Sequence, residues 1–130
     1  MQGQKKNLKG SPSRDAFKLW HKSLPGGFYA TDLDLVFVGK RPPGIVAMID
    51  YKTPYDRVTF SEVLAYNDLI AKGYPVFIIE SLEPFEKFTI REYLGGDWKP
   101  DPPIVNLKTV LDGVGIKEFI RWEQELRRGN

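Results

Sequence analysis

The nine residues Gly44-Ile45-Val46-Ala47-Met48-Ile49-Asp50-Tyr51-Lys52 limit what this chain can fold into more than any other stretch. An apolar run that ends in Asp-Tyr-Lys reads as a buried strand carrying a carboxylate and an ammonium out of a core at one end. Strand side chains alternate between faces, so Asp50 and Lys52 point the same way, roughly 6.6 Å apart along the chain, and Tyr51 turns to the other side.

Upstream, Phe28-Tyr29-Ala30-Thr31-Asp32-Leu33-Asp34-Leu35-Val36-Phe37-Val38 reads as a second strand with two acids in an otherwise apolar and aromatic run. Asp32 and Asp34 share one face. Gly39-Lys40-Arg41-Pro42-Pro43-Gly44 fits a hairpin connection between antiparallel neighbours, which lets the acids converge on Asp50. Carboxylates gathered at strand ends beside a lysine suit metal-assisted cleavage of a phosphodiester. A hard cation such as Mg²⁺ or Mn²⁺ takes one or two carboxylates, keeps several waters and leaves room for a phosphate oxygen. It activates a bound water and stabilises the leaving oxygen, while the lysine orients the water or holds a phosphate as a point charge.

In its order of Asp34, a hairpin-length gap and Asp50-Tyr51-Lys52, the sequence resembles the PD-(D/E)xK nuclease superfamily, the restriction-endonuclease-like fold. The resemblance implies an α/β domain with a mixed central sheet flanked by helices, in the order helix, three-stranded meander, helix, strand. It implies an endonuclease-type hydrolase that binds DNA as its preferred substrate and uses magnesium or manganese. It assigns Asp34 and Asp50 to the metal and Lys52 to the water. Asp32 is a further candidate ligand. Leu33 stands where the pattern has proline, and Asp50 where many members have Glu. Glu62-Val63-Leu64-Ala65-Tyr66 is similar to a Gln-xxx-Tyr signature on the following helix in one branch, with Glu for Gln, which makes Glu62 a further catalytic candidate.

Length fits a single domain: of 130 residues, 1–11 read as a flexible basic tail and 12–130 as one nuclease-like domain. There is no cysteine for a disulfide or thiolate site and only one histidine, His21, which argues against a zinc centre. No apolar run approaches the roughly 18 residues of a membrane span, so a soluble, intracellular (cytoplasmic) protein is expected. The net charge of +2 is compatible with nucleic acid without requiring it. A homodimer would give a duplex its two sites.

Along the rest of the chain, Pro12 opens a helix whose Ala16, Phe17, Leu19, Trp20 and Leu24 form a face expected to be core-directed. Asp15 either suits its N-terminus or, as the resemblance implies for an acid on the first helix, joins the metal site. After Lys52, Thr53 to Val58 is a loop in which Arg57 can grip a phosphate or remain a solvated charge. Lys40 and Arg41 are further nucleic-acid contacts by sequence proximity. Thr59 and Glu62 match a capping box; if Ser61 caps instead, Glu62 is free for the metal. Tyr66, on the same helix face as Glu62, can meet substrate or finish the core. Tyr74 to Glu80 reads as a buried strand parallel to the lysine strand, and Phe85 to Leu94 as an extra, half-exposed edge strand. Trp98 either contacts nucleic acid or covers the core. Ile104 to Leu111 fits strand or short helix. Ile116, Phe119, Ile120 and Leu126 mark an amphipathic C-terminal helix. Besides the nuclease, two readings stand open: a catalytically inactive nucleic-acid-binding or assembly module with the same fold, and a nucleotide phosphohydrolase, which lacks a Gly-rich phosphate loop.

Overall fold

A computed structural model describes residues 12–25, 33–53, 56–83 and 85–128, apart from the side chains of Lys18, Leu82 and Glu83. The basic tail, Asp32 and the start of the expected first strand lie outside the described residues. Two compact units divide the chain, Met1–Asp32 and Leu33–Asn130. In the first, helix α1 spans Pro12–Lys22, with Asp15 in its first turn and His21 and Lys22 in its last, as the helix dipole favours. Phe17, Leu19, Trp20 and Leu24, on the face expected to be core-directed, are not covered by the described residues of this unit. Periodicity fixes which residues share a face, not what covers it.

The second unit is a five-stranded mixed sheet with two helices. Its order is β1 (Leu35–Lys40), β2 (Pro43–Lys52), α2 (Phe60–Ala71), β3 (Val76–Glu83), β4 (Lys87–Asp97), β5 (Ile104–Val114) and α3 (Ile116–Arg128). The strands lie in sequence order, with β2 and β3 parallel and every other pair antiparallel. Helix α2 makes the crossover that a parallel pair requires. The β1–β2 hairpin turns at Arg41-Pro42, and its pairing runs from Lys40↔Pro43 beside the turn to Leu35↔Ile49 at the open end.

Between α1 and α2 the described residues hold the strands β1 and β2, and three consecutive antiparallel strands are β3, β4 and β5. One expectation needs correction. Strand β4 is not an edge, because β5 pairs along it and is itself the outer strand. Phe88, Thr89 and Ile90 are accordingly buried in succession, a pattern that a half-exposed edge would not show.

Alternation along β2 and β3 divides the core into two layers. Ala47, Ile49, Phe77, Ile79 and Ile90 face α3, whose Trp122 meets Phe77 edge-on and whose Phe119 stacks on Phe88 at 4.4 Å. The buried stripe of α3 therefore runs through Phe119, Trp122 and Leu126, while Ile116 and Ile120, expected within it, are exposed. Met48, Val76, Ile78 and Tyr93 face α2 through Val63 and Tyr66. Fully burying such aliphatic side chains contributes about 1.5–3 kcal/mol each, so α2 is held firmly against the face that Asp50 and Lys52 share. Among the described residues no helix is long and apolar enough to cross a membrane.

Candidate metal and phosphate site

Pleating carries Met48, Asp50 and Lys52 to the α2 side of the sheet, and the helix is held with its polar residues over the strand end. Thr59 caps α2: its hydroxyl accepts the Glu62 N–H, and Glu62 Oε1 accepts the Thr59 N–H at 2.9 Å. The same Glu62 carboxylate takes Lys52 Nζ at 2.8 and 3.0 Å through its two oxygens. Capping and site chemistry, which the sequence set against each other, are both done by one side chain. One turn on, the Tyr66 hydroxyl donates to Asp50 Oδ2 at 2.7 Å, and Lys52 Nζ lies 3.2 Å from that oxygen.

Asp34 enters from the other strand. Its Oδ2 accepts the Tyr51 N–H at 2.7 Å, so a side chain takes the donor that a longer β1 would have paired through its backbone. This is a physical reason for pairing to begin at Leu35↔Ile49 rather than further upstream. One residue beyond that pair, the same register sets Asp34 opposite Asp50.

Asp50 is 3% exposed and Lys52 8%, so desolvation weighs on both. Burial pushes the Asp50 carboxyl above its ordinary range; the Tyr66 hydroxyl pulls it back, Glu62 raises it and Lys52 lowers it. For Lys52, burial works against the ammonium, but the Glu62 hydrogen bonds and the charges of Asp50 and Glu62 outweigh it and hold the pKa above the ordinary lysine value. Lys52 is therefore a charged donor at neutral pH, not a base. Burial first, then Asp50, also push the Tyr66 phenol up, and the charge of Asp34 contributes. Tyr66 remains a donor throughout.

Two carboxylates, those of Asp50 and Glu62, contact the single Lys52 ammonium, and a third, that of Asp34, is tied to the backbone beside them. Both close contacts of Asp50 fall on Oδ2. Hard oxygen donors fit a hard divalent cation. Among the described residues no three acids or histidines are grouped to cage an ion. Asp34 and Asp50 present the oxygen donors that a hard divalent cation such as Mg²⁺ takes together with water.

Beside Lys52 opens a cleft of about 250 Å³, whose charged lining comprises Lys52, Asp56, Arg57, Glu80 and Arg91. Arg57 is thus placed next to the lysine. Arg91 pairs with Glu80 at 3.1 Å, and Glu80 stands in register with Lys52 on β3. These last two were not singled out from the sequence, although Val76-Phe77-Ile78-Ile79-Glu80 repeats the apolar run ending in a charge. Asp56 accepts from the Thr53 N–H and hydroxyl at 3.1 and 2.6 Å and turns the chain away at the strand end.

Lys40 and Arg41 are a correction. They sit at the hairpin turn, and the seven residue steps from Pro43 to Asp50 put about 23 Å of extended strand between that turn and the site. Tyr66 is 1% exposed with its hydroxyl on Asp50, so it positions a carboxylate from within the core instead of meeting a nucleic acid. Trp98 meets Phe60 edge-on at 5.7 Å and covers the start of α2. No protein-family model matches this sequence, and no solved structure matches the chain at a significant level.

Proposed function

We propose that the chain is a metal-dependent nuclease of the PD-(D/E)xK type, hydrolysing phosphodiester bonds, with DNA as the preferred substrate. The observation that carries this reading is that Asp50 and Lys52 on one face of the sheet and Glu62 and Tyr66 on α2 form one largely buried hydrogen-bonded cluster, with Asp34 tied to the adjacent residue. Asp34 and Asp50 would hold Mg²⁺ or Mn²⁺, which when bound supplies Lewis-acid activation of water and stabilisation of the leaving oxygen.

The remaining work falls to the protein's own groups. Tyr66 fixes the rotamer of Asp50 by donating to Oδ2, leaving Oδ1 for a cation. Glu62, anchored by the cap, holds the Lys52 ammonium at the strand end. Lys52 stays protonated, so its role is to orient a water or a phosphate oxygen by donation, not to remove a proton. Arg57 and Arg91 offer guanidinium groups to the phosphate chain from the cleft beside it.

A second reading has its own observation. Lys52 makes close contacts with both oxygens of Glu62 and with Asp50, and among the described residues no buried side-chain nitrogen or oxygen lacks a partner. A closed ion network of this kind also suits a non-catalytic nucleic-acid-binding or assembly module. Titration with Mn²⁺ followed by electron paramagnetic resonance separates the two. A nuclease should take up the ion and lose that uptake in Asp50→Asn; uptake that is absent, or indifferent to the substitution, favours the module.

A further inference from the structure

The larger cleft of the second unit lies away from Asp50 and Lys52, at the other end of the hairpin. It measures about 760 Å³ and opens between the β1–β2 turn and the last turn of α3, with Lys40 and Arg41 on one wall and Gln124, Arg127 and Arg128 on the other. All four cations are exposed, and none is joined to an acid among the described residues. Glu123 and Glu125, on the same helix, do not line it. Arg127 and Arg128 alone would be explained by the negative end of the helix dipole. The dipole does not explain why a separate hairpin brings Lys40 and Arg41 to the same hollow, where four like charges repel one another until an anion arrives.

We propose that this cleft is a second binding surface for nucleic acid, gripping the phosphodiester backbone of a strand laid between the hairpin turn and the end of α3. Cations on two facing walls suit a chain of phosphates passing between them. The concavity suits a strand better than the flat surface of a membrane. Exposed Lys and Arg side chains give affinity by releasing counterions, without sequence selectivity. The cleft's cations at the turn stand about 23 Å of strand from Asp50, its nearest lining residue Val46 about 13 Å, and α3 covers the sheet face opposite the one Asp50 faces, so this surface would hold nucleic acid whether or not the other site cuts it.

The test is fluorescence anisotropy of a labelled oligothymidine strand with the full chain in EDTA, which removes metal-dependent cutting from the readout, over a series of salt concentrations. Four phosphate contacts predict a log–log salt slope near about −2.8 for a single strand. Lys40→Gln/Arg41→Gln and Arg127→Gln/Arg128→Gln should each flatten the slope by about 1.4 and weaken binding roughly tenfold or more at about 0.1 M salt. Lys117→Gln/Arg121→Gln, which removes exposed α3 cations outside the cleft, should leave the slope unchanged. Circular dichroism verifies that each variant is folded. The proposal is overturned if the strand does not bind, if neither cleft pair changes the slope, if the control pair changes it equally, or if the chain binds phosphatidylserine vesicles and not the strand.

Discussion

Removing the Tyr66 hydroxyl isolates one contact of the cluster. Tyr66→Phe keeps the ring, which meets Tyr93 edge-on with centroids 5.5 Å apart, so no cavity opens. What is lost is a 2.7 Å hydrogen bond to Asp50 Oδ2, where the acceptor is 3% exposed and water cannot freely replace the donor. Hydrogen bonds to charged groups contribute about 1.5–3 kcal/mol. Lys52 remains 3.2 Å from the same oxygen and compensates in part, which places the expected loss near about 2 kcal/mol. For a unit of about 100 residues that corresponds to a Tm lower by roughly 8 °C. Urea unfolding followed by tryptophan fluorescence should show a lower midpoint with an unchanged slope. In an Asp50→Asn background the acceptor is neutral and the same substitution should cost only about 1 kcal/mol, a coupling of about 1 kcal/mol. A loss below about 0.5 kcal/mol, or an equal loss in both backgrounds, would refute the reasoning.

Lys52→Met leaves two carboxylates without their counter-charge and should destabilise by about 3–5 kcal/mol at neutral pH. The deficit should shrink as pH falls and Asp50, already raised by burial, becomes neutral; chemical denaturation at stepped pH measures this. Burial pushes the Tyr93 phenol up to about 12, while unfolded tyrosine ionises near about 10. The folded state then keeps a proton that the unfolded state releases, so stability should fall as pH rises from about 10 to about 12, with a shallower fall in Tyr93→Phe. Gly96 has no room for a methyl group, since a Cβ there would lie 2.9 Å from both Ile104 O and the Tyr93 hydroxyl. Gly96→Ala should cost about 1–3 kcal/mol in thermal unfolding, by displacing β5 or the Tyr93–Asn67 hydrogen bond.

Much of the site was legible because it depends on local rules. Alternation alone put Asp50 and Lys52 on one face, and the Thr59–Glu62 spacing marked one of two candidate starts for α2, Ser61 being the other. That Glu62 both caps the helix and holds Lys52 was not legible, because it depends on how far along β2 the helix docks. Lys40 and Arg41 were misplaced for a related reason: they are near Asp50 in sequence, but a hairpin puts its turn a full strand length from its open end. The interior position of β4 depends on β5, whose Ile104 to Leu111 run fits helix or strand until a partner decides it. The stripe of α3 was set by which side met Phe77 and Phe88, and this selected Trp122 over Ile116 and Ile120.

The central claim is that the Asp50–Lys52 cluster assists phosphodiester cleavage, and cutting of labelled single-stranded, double-stranded and branched DNA tests it most directly. Wild type and Lys52→Ala, both verified as folded, are compared with Mg²⁺, with Mn²⁺ and with EDTA. The account predicts metal-dependent cutting by wild type that falls by about a hundredfold or more when the positioned donor is removed. No cutting of any substrate with either metal, or equal cutting by Lys52→Ala, would contradict it.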